Sequence, residues 1–532
     1  MKCVSILAMQ TIASADTLQA LAAQMAELSR QYEASLRENE QLRAQLDWFR
    51  RQLFGKKSEK RLVEPDAAQG TLGEAFDAAS DTPAPGKKTR VAGHDRHTAP
   101  KHPGADESTL FFDEDKVPVE VIAVPNPDTV GLDPEDYEVI GEKVSHRLAQ
   151  RPGSYVILKY VRPVIKRRDT RELSCPAAPM GVIEGSRADV SFIVGMMVDK
   201  CAYHQPLYRV HQRLRDAGIQ VSRPWLTQLM QQAVALLEPV FDAQLESIRA
   251  SRVKAMDETP IKAGRAGPGK MNTAYFWPVY GEQDEICFLF YPGRSGRYVQ
   301  QALGLKPPDG AVLLTDGYCV YAQYANKLGL THAQCWAHAR REVFEAQHIE
   351  TERAEQALEM IGALYAVEAR MREQALTGQA KRDMRQAQAR PVAQRLFDWI
   401  DKQFDSQGFL PSSPFMKALA YIRERREGLS VYLDDPDVSI DTNHLERALR
   451  VIPMGKKNWL FSWTELGAKQ IGIVQSLLVT CRLHEIDPYD YLVDVLQRVG
   501  QHPASRVHEL TPRMWKQLFA DNPLRSHLHQ TS

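Results

Sequence analysis

Hydrophobic residues recur every seven positions near the start of the chain. From Leu18 to Leu53 they follow three- and four-residue steps, which predicts a coiled coil of about five heptads within residues 15–61. Asn39 falls on a core position of this repeat, where a polar side chain fixes register and strand number. We expect a homodimer or higher oligomer through this segment. The alternative is one amphipathic helix that packs on its own protein.

The periodicity disappears after the coiled coil and returns in short runs. Residues 62–110 are rich in Ala, Asp, Gly, Pro and Thr, which predicts a flexible linker. Residues 111–190 contain β-rich runs such as 155–161, which indicate a small β region. Lys166, Arg167 and Arg168 close these runs as a local basic cluster and are candidate DNA contacts.

The pattern over residues 191–250 is helical with one clear interruption. A short helix from Pro206 is followed by a Gly-containing break, and Ser222 is a good N-cap for the next helix, which carries Arg223 and Trp225 at its start. Two helices joined in this way predict a helix-turn-helix whose second helix enters a DNA groove. An ordinary helical hairpin has the same pattern, so DNA binding stays open at this point.

Strand periodicity begins again after residue 251. Runs at 253–256, 275–280 and 286–291 precede a helix near 297–305 and a strand at 311–315, which is the order of a ribonuclease-H-like core. We expect that core over residues 251–345 and 435–480, a helical insertion over 346–434 and a C-terminal helical region over 481–532. The predicted class is multidomain α+β: coiled coil, small β module, helix-turn-helix and an interrupted α/β catalytic core.

Three acidic residues stand where this topology can bring them together. Asp257 and Asp316 each follow a strand, and the first and fourth strands of such a core are neighbours. Glu446 lies on a later helix that begins with good N-cap residues, and it shares a face with Asn443. Converging carboxylates are the ligands that Mg²⁺ prefers. Taken singly, each acid has a simpler interpretation as a turn residue or a solvated helix residue.

Basic and aromatic residues follow Glu446 closely. The candidates for DNA contact are Arg447, Arg450, Lys456 and Lys457 on phosphates and Trp459 on a distorted base. His338 and Arg341 are candidates for supporting the acids. Cys335 and His338 share a helix face, but a closed zinc site needs four ligands and no second pair lies nearby in sequence.

Composition narrows the class further. A length of 532 residues favours three or four domains, and 43% hydrophobic and 25% charged residues exclude a disordered or collagen-like chain. Lys+Arg and Asp+Glu are both 67, so DNA contacts must be local. The 7 cysteines are scattered without a CxxC pair, and no apolar run approaches a membrane span. We expect a cytoplasmic, nucleoid-associated protein. Gln10 and Thr11 interrupt the weakly signal-like start.

Seven motifs in order give the chain a family likeness. They are LFGKKSEK at 53–60, HQPLYR at 204–209, MDETP at 256–260, DGY at 316–318 with Tyr321, CWAHARR at 335–341, NHLERALR at 443–450 and GKKNWLF at 455–461. With these motifs the chain resembles the insertion-sequence transposases of the sixty-six family. The resemblance implies a DDE transposase that binds the ends of a bacterial insertion sequence and catalyses DNA cleavage and strand transfer.

The resemblance also implies cofactors and partners. Asp257, Asp316 and Glu446 would be the metal-binding triad for two Mg²⁺ or Mn²⁺ ions, with element ends and target DNA as substrates and small accessory proteins as possible partners. The family's paired zinc-module cysteines are missing here, because the corresponding stretch holds only Cys175, so we expect no structural zinc. The alternatives are a catalytically inactive DNA-binding repressor or scaffold derived from a transposase, and a nuclease unrelated to mobility.

Overall fold

The computed structural model describes residues 111–529 apart from 116, 132, 152, 268 and 407–411. The predicted coiled coil and linker therefore lie outside the described residues. Of the described residues, those within 111–347 and 352–529 belong to one compact unit. In the part of the chain that is described, no helix is long and apolar enough to cross a membrane.

A four-stranded sheet opens the described chain. Its strands are β1 (Val119–Ala123), β2 (Tyr137–Arg151), β3 (Ser154–Arg167) and β4 (Leu173–Ser174). The strands β2 and β3 form a long antiparallel hairpin whose turn contains Gly153 at φ +84°, a conformation that costs glycine little. On β3, β1 runs parallel and β4 antiparallel. The predicted β region is thus a hairpin with two short flanking strands.

Three helices follow: α1 (Val190–Cys201), α2 (Leu207–Asp216) and α3 (Arg223–Ala250). The third begins as its sequence indicates, because the Ser222 side chain accepts a hydrogen bond from the Trp225 N–H. At 28 residues it is long, and its later turns bury Leu237, Val240 and Ile248 in the main core. The second helix after the Gly-containing break therefore also anchors this region to the rest of the compact unit.

A six-stranded sheet carries the centre of the unit. Its elements in chain order are β5 (Val253–Met256), β6 (Thr259–Gly267), β7 (Lys270–Gly281), β8 (Glu285–Tyr291), α4 (Gly296–Leu303), β9 (Val312–Thr315), α5 (Cys319–Leu328) and β10 (Thr331–Gln334). Strand β7 pairs with β8 on one side and with β5 and then β6 on the other. Strands β5, β9 and β10 are parallel neighbours. The carboxyl ends of β5 and β9 therefore meet at one edge of the sheet.

Alternation along the strands separates two cores. Met256 and Leu313 face one side, where they join the cluster that contains α3. Their neighbours Ala255 and Leu314 face the other side and join a second cluster. Successive side chains of a strand point to opposite faces of the sheet. Because both sets of side chains are buried here, the sheet is covered on both faces.

The second face is covered by helices that follow the last strand, β10, in sequence. They are α6 (Trp336–Ala346), α7 (Thr351–Glu373), α8 (Gly378–Met384), a π-helical turn (Arg385–Ala389), α9 (Arg390–Asp405), α10 (Pro414–Glu424) and α11 (Arg426–Asp434). Arg385 is fully buried among them and donates to both Glu368 carboxylate oxygens at 2.8 and 2.9 Å. Its guanidinium also donates to the carbonyl oxygens of Tyr432, Asp435 and Val438. One side chain thus joins α7, the end of α11 and the segment that follows α11.

The chain then returns to the sheet and ends in helices. These are α12 (Asn443–Leu449), α13 (Val451–Trp459), α14 (Glu465–Leu483), α15 (Pro488–Arg498) and α16 (Pro512–Leu518). Helix α14 lies along the outer edge of β8. Ser476 and Thr480 accept hydrogen bonds from the Phe288 and Ile286 N–H groups, and Gln244 donates to the Ile286 carbonyl. Three backbone groups on the outer edge of this strand, the Ile286 N–H and carbonyl and the Phe288 N–H, are therefore satisfied by side chains.

Candidate active site and nucleic-acid contacts

Asp257 occupies the break between β5 and β6. Its backbone N–H donates to the Pro278 carbonyl at 3.3 Å, and its carboxylate accepts the Glu258 N–H at 2.7 Å. Both contacts fix the acid immediately beyond a fully buried strand. The side chain is therefore held at the carboxyl edge of the sheet.

Asp316 follows β9 at the same edge. Ala255 of β5 is paired with Leu314 of β9 in parallel register, so the two strands end side by side. The Asp316 carboxylate accepts the Tyr318 N–H at 2.9 Å, which closes the turn after the strand. A Cβ on Gly317 would lie 2.7 Å from the Arg425 side chain, and Arg425 also donates to the Gly317 carbonyl at 3.3 Å. The insertion therefore reaches this turn.

Glu446 comes from α12 and faces two basic side chains of α6. Its carboxylate lies 3.8 Å from His338 Nε2 and 3.7 Å from an Arg341 nitrogen. The start of α12 is held by buried Cys335, whose sulfur accepts hydrogen bonds from the Thr442 N–H and hydroxyl at 3.3 and 3.2 Å. Cys335 therefore anchors the helix that carries the third acid.

The acids influence one another electrostatically. The pKa of Asp257 is raised to about 7, mainly by burial and further by the negative charges of Glu258, Asp316 and Glu446. Three oxygen donors of this kind suit a hard cation such as Mg²⁺. Among the described residues, however, no three His, Cys, Asp or Glu side chains are grouped closely enough to hold a metal ion in their present positions.

A cavity of about 610 Å³ opens over Asp257 and Glu446. Asp316 does not line it. The other polar side chains around it are those predicted from sequence, and they are His338, Arg341, Asn443, Arg447 and Arg450. Asn443 donates to Asp441 at 2.5 Å, while Arg447 and Arg450 are exposed. The cavity thus places guanidinium groups beside carboxylates, an arrangement that suits a phosphate and its counter-cation.

A buried acid next to Asp257 was not singled out from the sequence. Glu258 accepts hydrogen bonds from the Tyr321 hydroxyl and from Arg294, and burial raises its pKa. The Arg294 guanidinium lies 4.4 Å from the centre of the Tyr318 ring. The adjacent acids in MDETP and Tyr321 were visible in the sequence, but nothing there marked Arg294. This cluster fixes the backbone on which Asp257 stands.

The predicted contacts of the β region and α3 differ in exposure. Lys166 and Arg168 are exposed, and Arg167 pairs with Asp169 at 3.1 Å. Arg223 is also exposed, with its guanidinium 5.3 Å from the Tyr208 ring centre. Trp225 is half-buried and stacks on Phe192 with ring centres 5.9 Å apart. Packing therefore accounts for Trp225, whereas the basic residues face solvent.

The residues after Glu446 show a similar contrast. Lys457 is exposed, and Lys456 donates to the Pro260 carbonyl at 3.4 Å. Trp459 is half-buried, since its ring lies against Gly455 and 5.9 Å from the His204 ring. The exposed indole of this segment is that of Trp463, which the sequence did not single out.

Comparison with known protein families defines the class. The model described as "Transposase IS66 family" matches residues 185–470, the IS66 C-terminal element matches 476–513, and a transposase homeodomain model named for IS166 matches 41–107. These matches define a transposase with a region suited to DNA binding. The chain belongs to the IS66 transposase family. The homeodomain match overlaps the predicted coiled coil and linker, outside the described residues.

Similar chains occur in Sinorhizobium fredii (strain NBRC 101917 / NGR234). The uncharacterized protein y4hP is 28% identical over 72% of this chain and 72% of its own length. The uncharacterized protein y4jD is 26% identical over 89% of this chain and 94% of its own length. The similarity to y4jD thus extends over most of both chains.

Proposed function

We propose that the chain is a DDE transposase that cleaves the ends of an insertion sequence and joins them to target DNA. The observation that carries the proposal is the position of Asp257 and Asp316 at the ends of neighbouring parallel strands, with Glu446 close enough to raise the pKa of Asp257. The strand order β8, β7, β5 with β6, β9, β10 is that expected of a ribonuclease-H-like core. The helical insertion separates Asp316 from Glu446 in sequence.

The donor chemistry of the three acids fits Mg²⁺ or Mn²⁺, and we propose two ions per site. When bound, the ions would activate the attacking hydroxyl and stabilise the leaving oxygen. Asp257, Asp316 and Glu446 would hold the ions, and the Glu446 carboxylate lies 3.8 Å from His338 Nε2 and 3.7 Å from an Arg341 nitrogen. A divalent cation would also relieve the mutual repulsion of the carboxylates around Asp257.

The remaining side chains bind and orient the DNA. Arg447 and Arg450 hold phosphate oxygens beside the acids, because both line the cavity from exposed positions. Arg341 and His338 line the same cavity. Arg223 and the basic end of β3, which carries Lys166, bind the element end further away. A coiled-coil dimer and accessory proteins of the same element would complete the assembly.

The test is strand cleavage and joining by the purified full chain on DNA from the flanks of its own gene, with Mg²⁺ or Mn²⁺. Asp316→Asn and Glu446→Gln each remove one ligand and should abolish cleavage while leaving end binding within about twofold. Glu359→Gln, an exposed residue of α7, is the matched control and should cleave normally. Equal activity of Glu446→Gln and the control would overturn the proposed triad.

A second candidate is a catalytically inactive DNA-binding repressor or scaffold. The observation in its favour is that Glu446 is paired with His338 and Arg341, and that in the described part of the chain the acids do not form a metal-ready group. Binding of element ends without cutting, even with accessory proteins supplied, would favour this candidate.

A further inference from the structure

Three large apolar side chains are exposed together just after α13. Leu460, Phe461 and Trp463 are 66%, 37% and 57% exposed, and the two aromatic ring centres lie 5.8 Å apart. The guanidinium of Arg265 lies 4.1 Å from the centre of the Trp463 ring. Single exposed apolar residues are ordinary, whereas a cluster of this kind marks a binding surface. We call these four residues the aromatic platform.

The backbone beneath the aromatic platform is fixed. Ser462 is buried, its N–H donates to the Lys262 carbonyl at 2.8 Å, and its own carbonyl accepts the Gly264 N–H at 3.2 Å. The segment is thereby attached to the edge of β6. Leu460 has φ +67° and ψ −48°, and the Phe461 N–H donates to the Trp459 carbonyl at 2.8 Å, which forms a strained γ-turn. The chain therefore holds these side chains outward.

Charge around the platform identifies its occupant. Lys262 and Lys457 are exposed on the adjoining β6 and α13, and Arg265 belongs to the platform itself. Aromatic and Arg side chains occur at protein–protein interfaces as well, but Lys is depleted there, so the two exposed lysines favour a nucleic acid over a second copy of the chain. Aromatic rings with nearby cations are the usual means of binding unpaired bases and their phosphates.

The platform is connected directly to the candidate active site. Helix α13 follows α12, which carries Glu446, and its Lys456 contacts Pro260 just beyond Asp257. Ala263 of β6 forms a bridge with Ser462 of the platform segment. It lies about six residues after Asp257, which corresponds to roughly 20 Å at ~3.3 Å per residue of extended chain. That separation corresponds to about six nucleotides at ~3.4 Å each.

We propose that Phe461 and Trp463 stack on bases that leave the duplex within about six positions of the cleaved phosphate. The proposal rests on the proposed function, because it names a feature of the DNA that the same site would act on. It also moves the stacking role from Trp459, which is half-buried, to Trp463. Opening the duplex costs base stacking, and the platform supplies replacement stacking to the unpaired strand.

The first experiment measures binding without catalysis. Fluorescence anisotropy of the full chain with a labelled single strand of its element end compares wild type, Phe461→Ala/Trp463→Ala and Phe344→Ala, a matched loss of an exposed ring elsewhere. The platform variant should lose at least about fivefold in single-strand affinity, while its duplex affinity and unfolding midpoint stay unchanged. Trp463→Phe should retain most of the affinity. Equal affinities of the platform variant and wild type would overturn the proposal, as would a change in oligomeric state alone.

The second experiment separates this inference from the proposed function. Cleavage is measured on fully paired ends and on ends with a mismatched bubble near the cut. The platform variant should be slower on paired ends and should recover on the bubble, whereas Asp316→Asn should cleave neither. A platform variant as fast as wild type on both substrates refutes the platform and leaves the transposase intact. If wild type cuts nothing, the proposed function fails, and single-strand binding by the platform is still decided by anisotropy.

Discussion

Replacing Arg385 with methionine should destabilise the helices that cover the second face of the sheet and thereby weaken the support of the third acid, Glu446. Arg385 and Glu368 are buried and joined by two hydrogen bonds, and three backbone carbonyls depend on the same guanidinium. Arg385→Met keeps the apolar stem of the side chain but leaves the Glu368 carboxylate without its cation. Breaking one side of a buried pair costs about 3–5 kcal/mol. The three carbonyls that lose their donor belong to the segment that leads into α12. The substitution should therefore destabilise the segment that positions Glu446.

The assay is urea unfolding followed by circular dichroism, together with cleavage of the element end. The variant should unfold at lower urea, and its cleavage should fall with the folded fraction. Adding Glu368→Gln should restore part of the stability, because a neutral amide is cheaper to bury unpaired than a carboxylate. Exposed Arg382→Met in α8 is the matched control. An Arg385→Met protein as stable as that control would refute the reasoning.

Three further changes test other parts of the molecule. Gly455→Ala should cost about 1–3 kcal/mol, because its methyl group would overlap the Trp459 ring, and an unchanged unfolding midpoint would contradict this. Arg223→Ala should weaken binding to element ends. The slope of the logarithm of the binding constant against the logarithm of the salt concentration should become smaller in magnitude by about one, and an unchanged slope would exclude a phosphate contact. The third change is measured in EDTA, so that no metal ion compensates the charge of Asp257. Because burial raises the pKa of Asp257 to about 7 in the folded protein, its contribution to the free energy of unfolding is fully present below about pH 4 and is lost as the pH rises through about 7. Asp257→Asn should therefore gain unfolding temperature relative to wild type from pH 5 to 8, and a constant difference would contradict the assigned cause.

Local pattern was sufficient for the family and for much of the secondary structure. The family assignment from seven motifs is confirmed by the match over residues 185–470. The run 253–256 forms a strand although only Val253 is a strong β-former, because all four residues are buried between the neighbouring strands β7 and β9. Asp257 and Asp316 could be predicted because an acidic residue directly after a strand-like run can be recognised from the sequence alone. Their catalytic role stays a prediction.

Contacts between distant residues had no local signal. Cys335 holds Thr442 and Arg425 reaches Gly317, each across more than a hundred positions. The sequence also could not rank Trp459 against Trp463, because the difference depends on how each ring is covered in the fold. Tertiary packing determines the solvent exposure of each indole, and the periodicity of the sequence does not predict that exposure.

The side chains that α14 places along β8 have a consequence for self-association. An open edge strand invites another chain to add a strand of its own, which is a common beginning of aggregation. Here Ser476 and Thr480 already occupy the Phe288 and Ile286 N–H groups, and a Cβ on Gly472 would collide with the Phe288 carbonyl, so the helix fits the strand tightly. A protein shortened before this helix would expose a ready template for strand addition. Helix α14 thus blocks the addition of a further strand to the β8 edge of the central sheet.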